Sequence, residues 1–324
     1  MQKSTGFDIR GKHTAITGTV SPFHVNVGSR QRVRAAAAFL KDARLLEGGR
    51  VEILLGTYEH KTGEGKKLDV PVVIYETQMG MGAADIISRE VLHFSCCEPV
   101  FRFNGSEIRT AERIVDIRAG TSGGCNTSET NGISPVLAVG DIVAAERMVG
   151  TSGTIMQALG FMPTVSSAVD TQMQIELFKT CQKWGALGGS ITKEGYLAMD
   201  TDPLLAREIW GAAFDKGLTC HIGTVFSKES LYSESNHGFF VDLRKNQNVL
   251  ATEMEGLQIA YVAAEARKKG IDMLTGVVAG IVGVVPGTGF PNNKSEEDAA
   301  KKVETDGVKV ALAAIGRFAE SMRR

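Results

Sequence analysis

Short β-branched runs alternate with stretches of helical periodicity along most of this chain, and that alternation restricts the fold more than any other feature. His24–Val27, Val51–Leu55, Val70–Glu76, Arg113–Ala119, Asp141–Ala145, Thr219–Phe226 and Thr275–Val285 are predicted strands. Arg30–Leu46, Ala83–Phe94, Asp202–Lys216, Glu253–Lys269 and Glu296–Met322 are predicted helices. Strands and helices taken in turn build an α/β fold on a mostly parallel or mixed sheet. Val70–Tyr75 and Val277–Val285 are apolar on both faces, as strands covered by helices on both sides must be. Two stretches read as insertions. Glu59–Asp69 is polar and glycine-punctuated between strands, which predicts a long hairpin tip, and Phe161–Tyr196 mixes helical and loop character around Gly185–Gly189. No polar or proline-rich linker divides the chain, so a single domain over residues 1–324 is expected.

Composition removes several classes of function. Thirty-six Lys plus Arg against 37 Asp plus Glu give a net charge of −1, which argues against a nucleic-acid arm or a polybasic membrane patch. Five cysteines, odd in number and without CxxC spacing, suggest neither a disulfide scaffold nor a zinc site. The first residues carry no apolar signal core, and Met273–Val285 is glycine-broken and too short to cross a bilayer. A protein of the reducing cytoplasm is the expectation.

Four constellations carry chemistry. In Val25–Val33 a strand runs through Gly28 into a helix bearing Ser29, Arg30 and Arg32. Free N–H groups at such a turn and a guanidinium one turn on suit an anion, although solvated arginines on an ordinary strand–turn–helix fit the local pattern as well. In Arg113–Asn126 a strand is predicted to end on Arg118 and to be followed by Gly120, Thr121, Ser122, Gly123 and Gly124. Ligands bind at the carboxyl ends of open α/β strands, and hydroxyls with glycine N–H groups form an anion nest, with a structural salt bridge as the other reading of Arg118. Glu76–Ile87 places Gly80 and Gly82 between strand and helix, where a close strand–helix crossing explains the pair more simply than a ligand does. In Ala251–Glu265, Glu253 and Glu255 flank Met254 at a predicted helix start, where carboxylates either complement the dipole or accept hydrogen bonds from vicinal hydroxyls. His24 and His221 lie in strands and read as structural; His13 and His237 lie in loops. No histidine–carboxylate cluster has metal spacing.

Taken in order from about Val25 to Val285, these constellations resemble the nucleoside phosphorylase family, which includes uridine phosphorylases and hexameric-type purine nucleoside phosphorylases. The resemblance implies a three-layer α/β/α domain around a mixed, partly barrel-like central sheet. It implies reversible phosphorolysis, in which inorganic phosphate displaces the base from C1′ of a nucleoside. Gly28 and Arg32 match the family's phosphate loop, with Ser29 standing where Asp is usual, and Arg118, Gly120 and Thr121 match its strand-end phosphate grip. Glu253–Met254–Glu255 matches the ribose motif, with Glu255 on the 2′ and 3′ hydroxyls. Arg50 fits the arginine lent across a dimer interface to the neighbour's phosphate, and His13 the histidine lent to the ribose 5′ hydroxyl, which makes the protein a homo-oligomer with shared sites. The resemblance calls for no organic cofactor; related interfaces sometimes hold a cation, for which Asp85 beside the Met81 carbonyl is the candidate.

The base pocket decides the substrate. The purine branch carries an aspartate after the strand that here ends at Val285, and Gly283–Pro286 has no acid, which favours the pyrimidine branch. Pyrimidine members hold uracil with a Gln and an Arg after a Phe–Tyr pair. Leu231–Tyr232 stands for that pair, and Ser235 and His237 fall where the Gln and Arg belong. Phe226 or Tyr232 is expected to stack on the base, with Glu253 beside it. The expected activity is therefore that of a uridine phosphorylase. The alternatives are a purine nucleoside phosphorylase, a hydrolytic nucleosidase and a non-catalytic nucleoside-binding protein on the same scaffold. The last would be expected to lose Glu255 or a phosphate arginine, and all are kept.

Overall fold

The structure is a computed structural model describing residues 13–16, 20–46, 48–96, 100–103, 106–109, 113–126, 132–160, 170–230, 237–285, 291 and 293–323. In chain order the strands are β1 (Phe23–Val27), β2 (Lys41–Leu46), β3 (Ile53–Lys61), β4 (Lys67–Glu76), β5 (Val100–Phe103), β6 (Ser106–Arg109), β7 (Ile114–Cys125), β8 (Ile142–Gly150), β9 (Ser190–Ile191), β10 (Leu197–Asp200), β11 (Cys220–Ser227), β12 (Val249–Glu253) and β13 (Met273–Val285). The helices are α1 (Arg30–Ala36), α2 (Met81–Cys96), α3 (Gly153–Ala158), α4 (Asp170–Gly185), α5 (Pro203–Asp215), α6 (His237–Gln247), α7 (Gly256–Lys268) and α8 (Lys294–Ser321).

Apart from the antiparallel pair β5–β6, the strands among the described residues join one mixed sheet in the order β2-β3-β4-β1-β7-β12-β11-β8-β10-β9, and β13 bridges β7 and β8. The path β7-β12-β11-β8-β13 therefore returns to β7, so five strands close on themselves while the rest form an open wing. This is the expected mixed, partly barrel-like sheet. Period-2 alternation sorts β4 between two layers: Leu68, Val70, Val72 and Ile74 join the core beneath α1, α5 and α8, while Val73 and Tyr75 pack with Ile87 and Val91 of α2. Val262, Ala263 and Ala266 of α7 meet Leu92, Ile114 and Met273 on that second face. Helices on both faces explain why the central strands read as unbroken apolar runs.

Three local expectations are corrected. The predicted helix Arg30–Leu46 is α1 followed by a 3-10 turn at Ala37–Phe39 and then β2, which pairs antiparallel with β3. The alanine run has helical propensity, but pairing with β3 satisfies the backbone of residues 41–46 and overrides it. The strand predicted to end near Arg118 continues to Cys125, because Gly120, Gly123 and Gly124 pair with β13 and the last two also with β12. The glycines therefore form strand and not an open nest. Glu253 ends β12, and helix α7 begins only at Gly256. The hairpin Glu59–Asp69 exists, but β3 and β4 pair out to Lys61 and Lys67 and leave a tip of five residues. Among the described residues no helix is long and apolar enough to cross a membrane.

Candidate active site

The long strand β7 brings the site together. Its register sets Arg118 opposite Asn26 near the end of β1, and Gly123 opposite Thr252 near the end of β12. Residues read as separate motifs thus meet around a cavity of about 490 Å³, a volume suited to a small organic ligand. Its lining includes Gly28, Ser29, Arg32, Arg118, Thr121, Met254 and Glu255.

One end of the cavity is built for an anion. A Cβ at Gly28 would lie 3.5 Å from Arg118 Nη2 and 3.7 Å from Arg32 Nη1, so bare backbone lets both guanidinium groups converge there. Arg32 Nη2 donates to Thr121 Oγ1 at 3.2 Å, and Arg32 Nε stands 3.6 Å from Glu304 of α8. Burial lowers the pKa of Arg32; Glu304 opposes that shift and the neighbouring Arg118 adds to it. Two cations in a desolvated corner gain most from a shared anion. Arg118 is 3% exposed; its Nη1 donates to Thr77 Oγ1 at 2.8 Å and its Nη2 to Glu255. Glu255 also accepts from the Gly80 N–H at 2.6 Å, which gives that glycine turn a role at the site.

Four buried polar atoms around this cavity have no hydrogen-bond partner: Arg32 Nε, Arg118 Nε, Ser122 Oγ and Thr252 Oγ1. An unsatisfied buried donor costs about 1–3 kcal/mol, so four at one cavity mark where a ligand supplies partners. Glu253 differs. It lines the cavity, but its oxygens accept from the N–H groups of Glu255 (2.7 Å) and Gly256 (2.8 Å) and from the Ser227 hydroxyl. It caps α7 instead of presenting itself to a base. Burial, then the nearby Glu255, raises its pKa.

Phe226 is 1% exposed among Val149, Phe240 and Leu243, so it is a core residue and no stacking face. Arg50 and His13 adjoin each other, the Arg50 N–H donating to the His13 carbonyl at 2.8 Å, and neither lines the cavity. Arg50 is exposed, while the His13 ring meets Glu90 at 2.5 Å. Asp85 accepts from Arg89 at 2.8 Å and Gln258 at 2.7 Å, so cationic and amide donors already occupy it; no group of three potential metal ligands occurs among the described residues. Tyr232 and Ser235 lie outside the described residues. His237 opens α6, and its side chain lies outside them too.

Residues that sequence reasoning missed include Thr252 of β12, Lys228 and one side of α8. Lys228, 7% exposed just beyond β11, lines the cavity with its ammonium 5.8 Å from the Phe240 ring. Glu297, Ala300, Lys301 and Glu304 bring the first turns of α8 across the opening. Nothing in the spacing of that amphipathic helix distinguishes a site wall from a solvated face.

A family model described as the phosphorylase superfamily matches residues 24–316. A uridine phosphorylase from Vibrio fischeri, solved in complex with 6-hydroxy-1-naphthoic acid, is similar in fold, with a TM-score of 0.58, 17% sequence identity and 91% of each chain covered. No curated protein matches the sequence.

Proposed function

Because the chain belongs to the phosphorylase superfamily, we propose that it is a nucleoside phosphorylase acting on uridine, with deoxyuridine and thymidine as further substrates. The observation that carries this reading is the pair Arg32 and Arg118 at one end of a cavity, their buried Nε atoms without a hydrogen bond, and the Glu255 carboxylate beside them. Phosphate would take the donors of Arg32, Arg118, Thr121 and Ser122. The ribose hydroxyls would donate to Glu255, which also accepts from Arg118 and the Gly80 N–H. A phosphate oxygen attacks C1′ as the bond from C1′ to the base nitrogen breaks, and the bonding pair leaves on the base. The sugar passes through an oxocarbenium-like state, as in other glycosyl cleavages. Holding the nucleophile in place supplies about 7 kcal/mol or more of barrier reduction. Hydrolysis is the weaker reading, because neutral water needs no paired guanidinium groups. The chemistry requires no organic cofactor.

The preference for a pyrimidine rests on the missing acid after β13, and the fold shared with a uridine phosphorylase supports it. The same reading makes the protein at least a homodimer, with Arg50 and His13 completing the neighbour's site. The deciding experiment is a substrate panel of uridine, thymidine, inosine and adenosine, each with and without phosphate. Uridine should be cleaved only with phosphate, and Arg118→Ala should lose at least a few kcal/mol of transition-state stabilisation. Equal cleavage in phosphate-free buffer would establish a nucleosidase, and preference for inosine or adenosine would move the protein to the purine branch.

A further inference from the structure

Beneath Arg118 lies a buried polar ladder that catalysis as described does not use. Tyr75 of β4 and Arg118 of β7 are both register partners of Asn26 in β1, so three adjacent strands present these side chains at one level. Asp116 lies two residues before Arg118 on the same face of β7. Tyr75 and Asn26 are 0% exposed and Asp116 is 1% exposed. Asn26 Nδ2 donates to Asp116 Oδ1 at 2.9 Å, and the Tyr75 hydroxyl donates to Asp116 Oδ2 at 2.6 Å. Asn26 Oδ1 accepts from Arg118 Nη1 at 3.5 Å.

A carboxylate in a central strand is expensive, and an apolar residue would satisfy packing alone at lower cost. What Asp116 adds is direction. Both Asp116 oxygens accept, Oδ1 from the Asn26 NH2 and Oδ2 from the Tyr75 hydroxyl, so the Asn26 carbonyl oxygen is the end that faces Arg118. Burial, and then Asp116, hold the Tyr75 phenol well above its ordinary pKa, so Tyr75 remains a donor. Asn26 and Thr77 thus grip Arg118 Nη1 from behind, while Nη2 meets Glu255 and Nε is left without a protein partner.

We propose that Asp116, acting through the orientation of the Asn26 amide, is the positioning residue that aims the Arg118 guanidinium at phosphate. This rests on the reading of Arg118 as a phosphate ligand. The relay makes a prediction opposite to that of charge alone. Removing a carboxylate near an anion site should tighten phosphate on Coulombic grounds. Asp116→Asn instead lets the Asn26 amide turn its NH2 toward Arg118, so donor meets donor and phosphate binding weakens.

The test is calorimetric titration of inorganic phosphate into the protein, with separate KM values for phosphate and uridine. Asp116→Asn should raise the phosphate Kd and KM roughly tenfold while uridine KM moves less than about threefold. Asn26→Ser, a milder change that keeps a donor for Asp116, should give the same split and covers the case in which Asp116→Asn does not fold. The double variant should lose no more than the worse single one, because Asp116 works only through Asn26. Phosphate binding unchanged or tighter in folded variants, with only thermal stability lowered, would reduce the ladder to a strand-pairing device and overturn the proposal. A wild-type protein that binds no phosphate would remove the phosphorylase reading and the relay together, so the two failures are distinct.

Discussion

Glu255 has a second task, beside the ribose role its motif implied, that its position in the sequence does not reveal. It accepts hydrogen bonds from Arg118 and from the Gly80 N–H, and it is the acceptor proposed for the ribose hydroxyls. Glu255→Gln should weaken uridine more than 2′-deoxyuridine, since only ribose offers the 2′ donor whose charge-assisted bond is worth about 1.5–3 kcal/mol. Steady-state kinetics on both substrates check this, and equal losses would leave Glu255 as a support for Arg118 and the glycine turn only. His24 carries a different consequence. It is buried against the Ser21 carbonyl (2.8 Å) and Ser95 Oγ (2.7 Å), and burial lowers its pKa. The unfolded chain therefore binds a proton that the native state refuses. Stability that is whole above the unfolded value of about 6.5 is lost as pH falls from there toward the depressed native value. Urea unfolding at about pH 7.5 and about pH 5.5 should show a larger acid loss for wild type than for His24→Asn, by up to about 1.4 kcal/mol per pH unit. Parallel losses in the two proteins would clear His24.

At the scale of elements, the paired ends of the parallel strands β8 and β11, where Gly150 is the register partner of Ser227, support the site. A Cβ on Gly150 would stand 2.3 Å from the Ser227 carbonyl oxygen, a backbone atom that no rotamer change can move aside. The Ser227 hydroxyl donates to Glu253 and accepts from the Leu257 N–H at 2.9 Å, so the start of α7 is tied to these strand ends. Gly150→Ala should cost roughly 1–3 kcal/mol as an overpacked contact and also raise the KM for nucleoside, because displacing Ser227 disturbs the carboxylate that caps the helix behind Glu255. Gly185→Ala, where an added Cβ meets nothing within 4 Å, should stay within about 0.5 kcal/mol of wild type. Indistinguishable urea midpoints for the two variants would contradict this account of the strand pair.

For the whole molecule, the proposed shared site has one physical motive. Arg50 and His13 adjoin each other outside the cavity of their own chain, where the proposed lending to a neighbour's site requires them to be. Arg50→Ala and Arg118→Ala are each expected to be inactive alone. Refolded together, random pairing gives half heterodimers, each with one intact site of two, so about a quarter of wild-type activity should return. Full activity of Arg50→Ala, or no recovery despite demonstrated subunit exchange, would take Arg50 out of the site.

Alternation of period-2 and period-3.6 patterns was enough to read an α/β chain, because burial on two faces or one leaves its mark residue by residue. Gly28 and Glu255 were legible because they sit at turns, where few residue types suit the backbone and the chemistry together, and Arg32, Arg118 and Thr121 because polar groups beside such turns or inside an otherwise apolar strand stand out. Tertiary structure decided the rest. Pairing across the sheet turned the alanine-rich tail of a predicted helix into β2 and drew the glycines after Arg118 into β7. Packing withdrew Phe226 into the core and used the Glu253 oxygens as a helix cap. Residues 90 or more positions apart set Asp116 behind Asn26 and carried Glu304 of α8 to Arg32. Local spacing reports only which face of its own element a side chain occupies; which faces meet depends on register and closure of the sheet, and these are settled by contacts far apart along the chain.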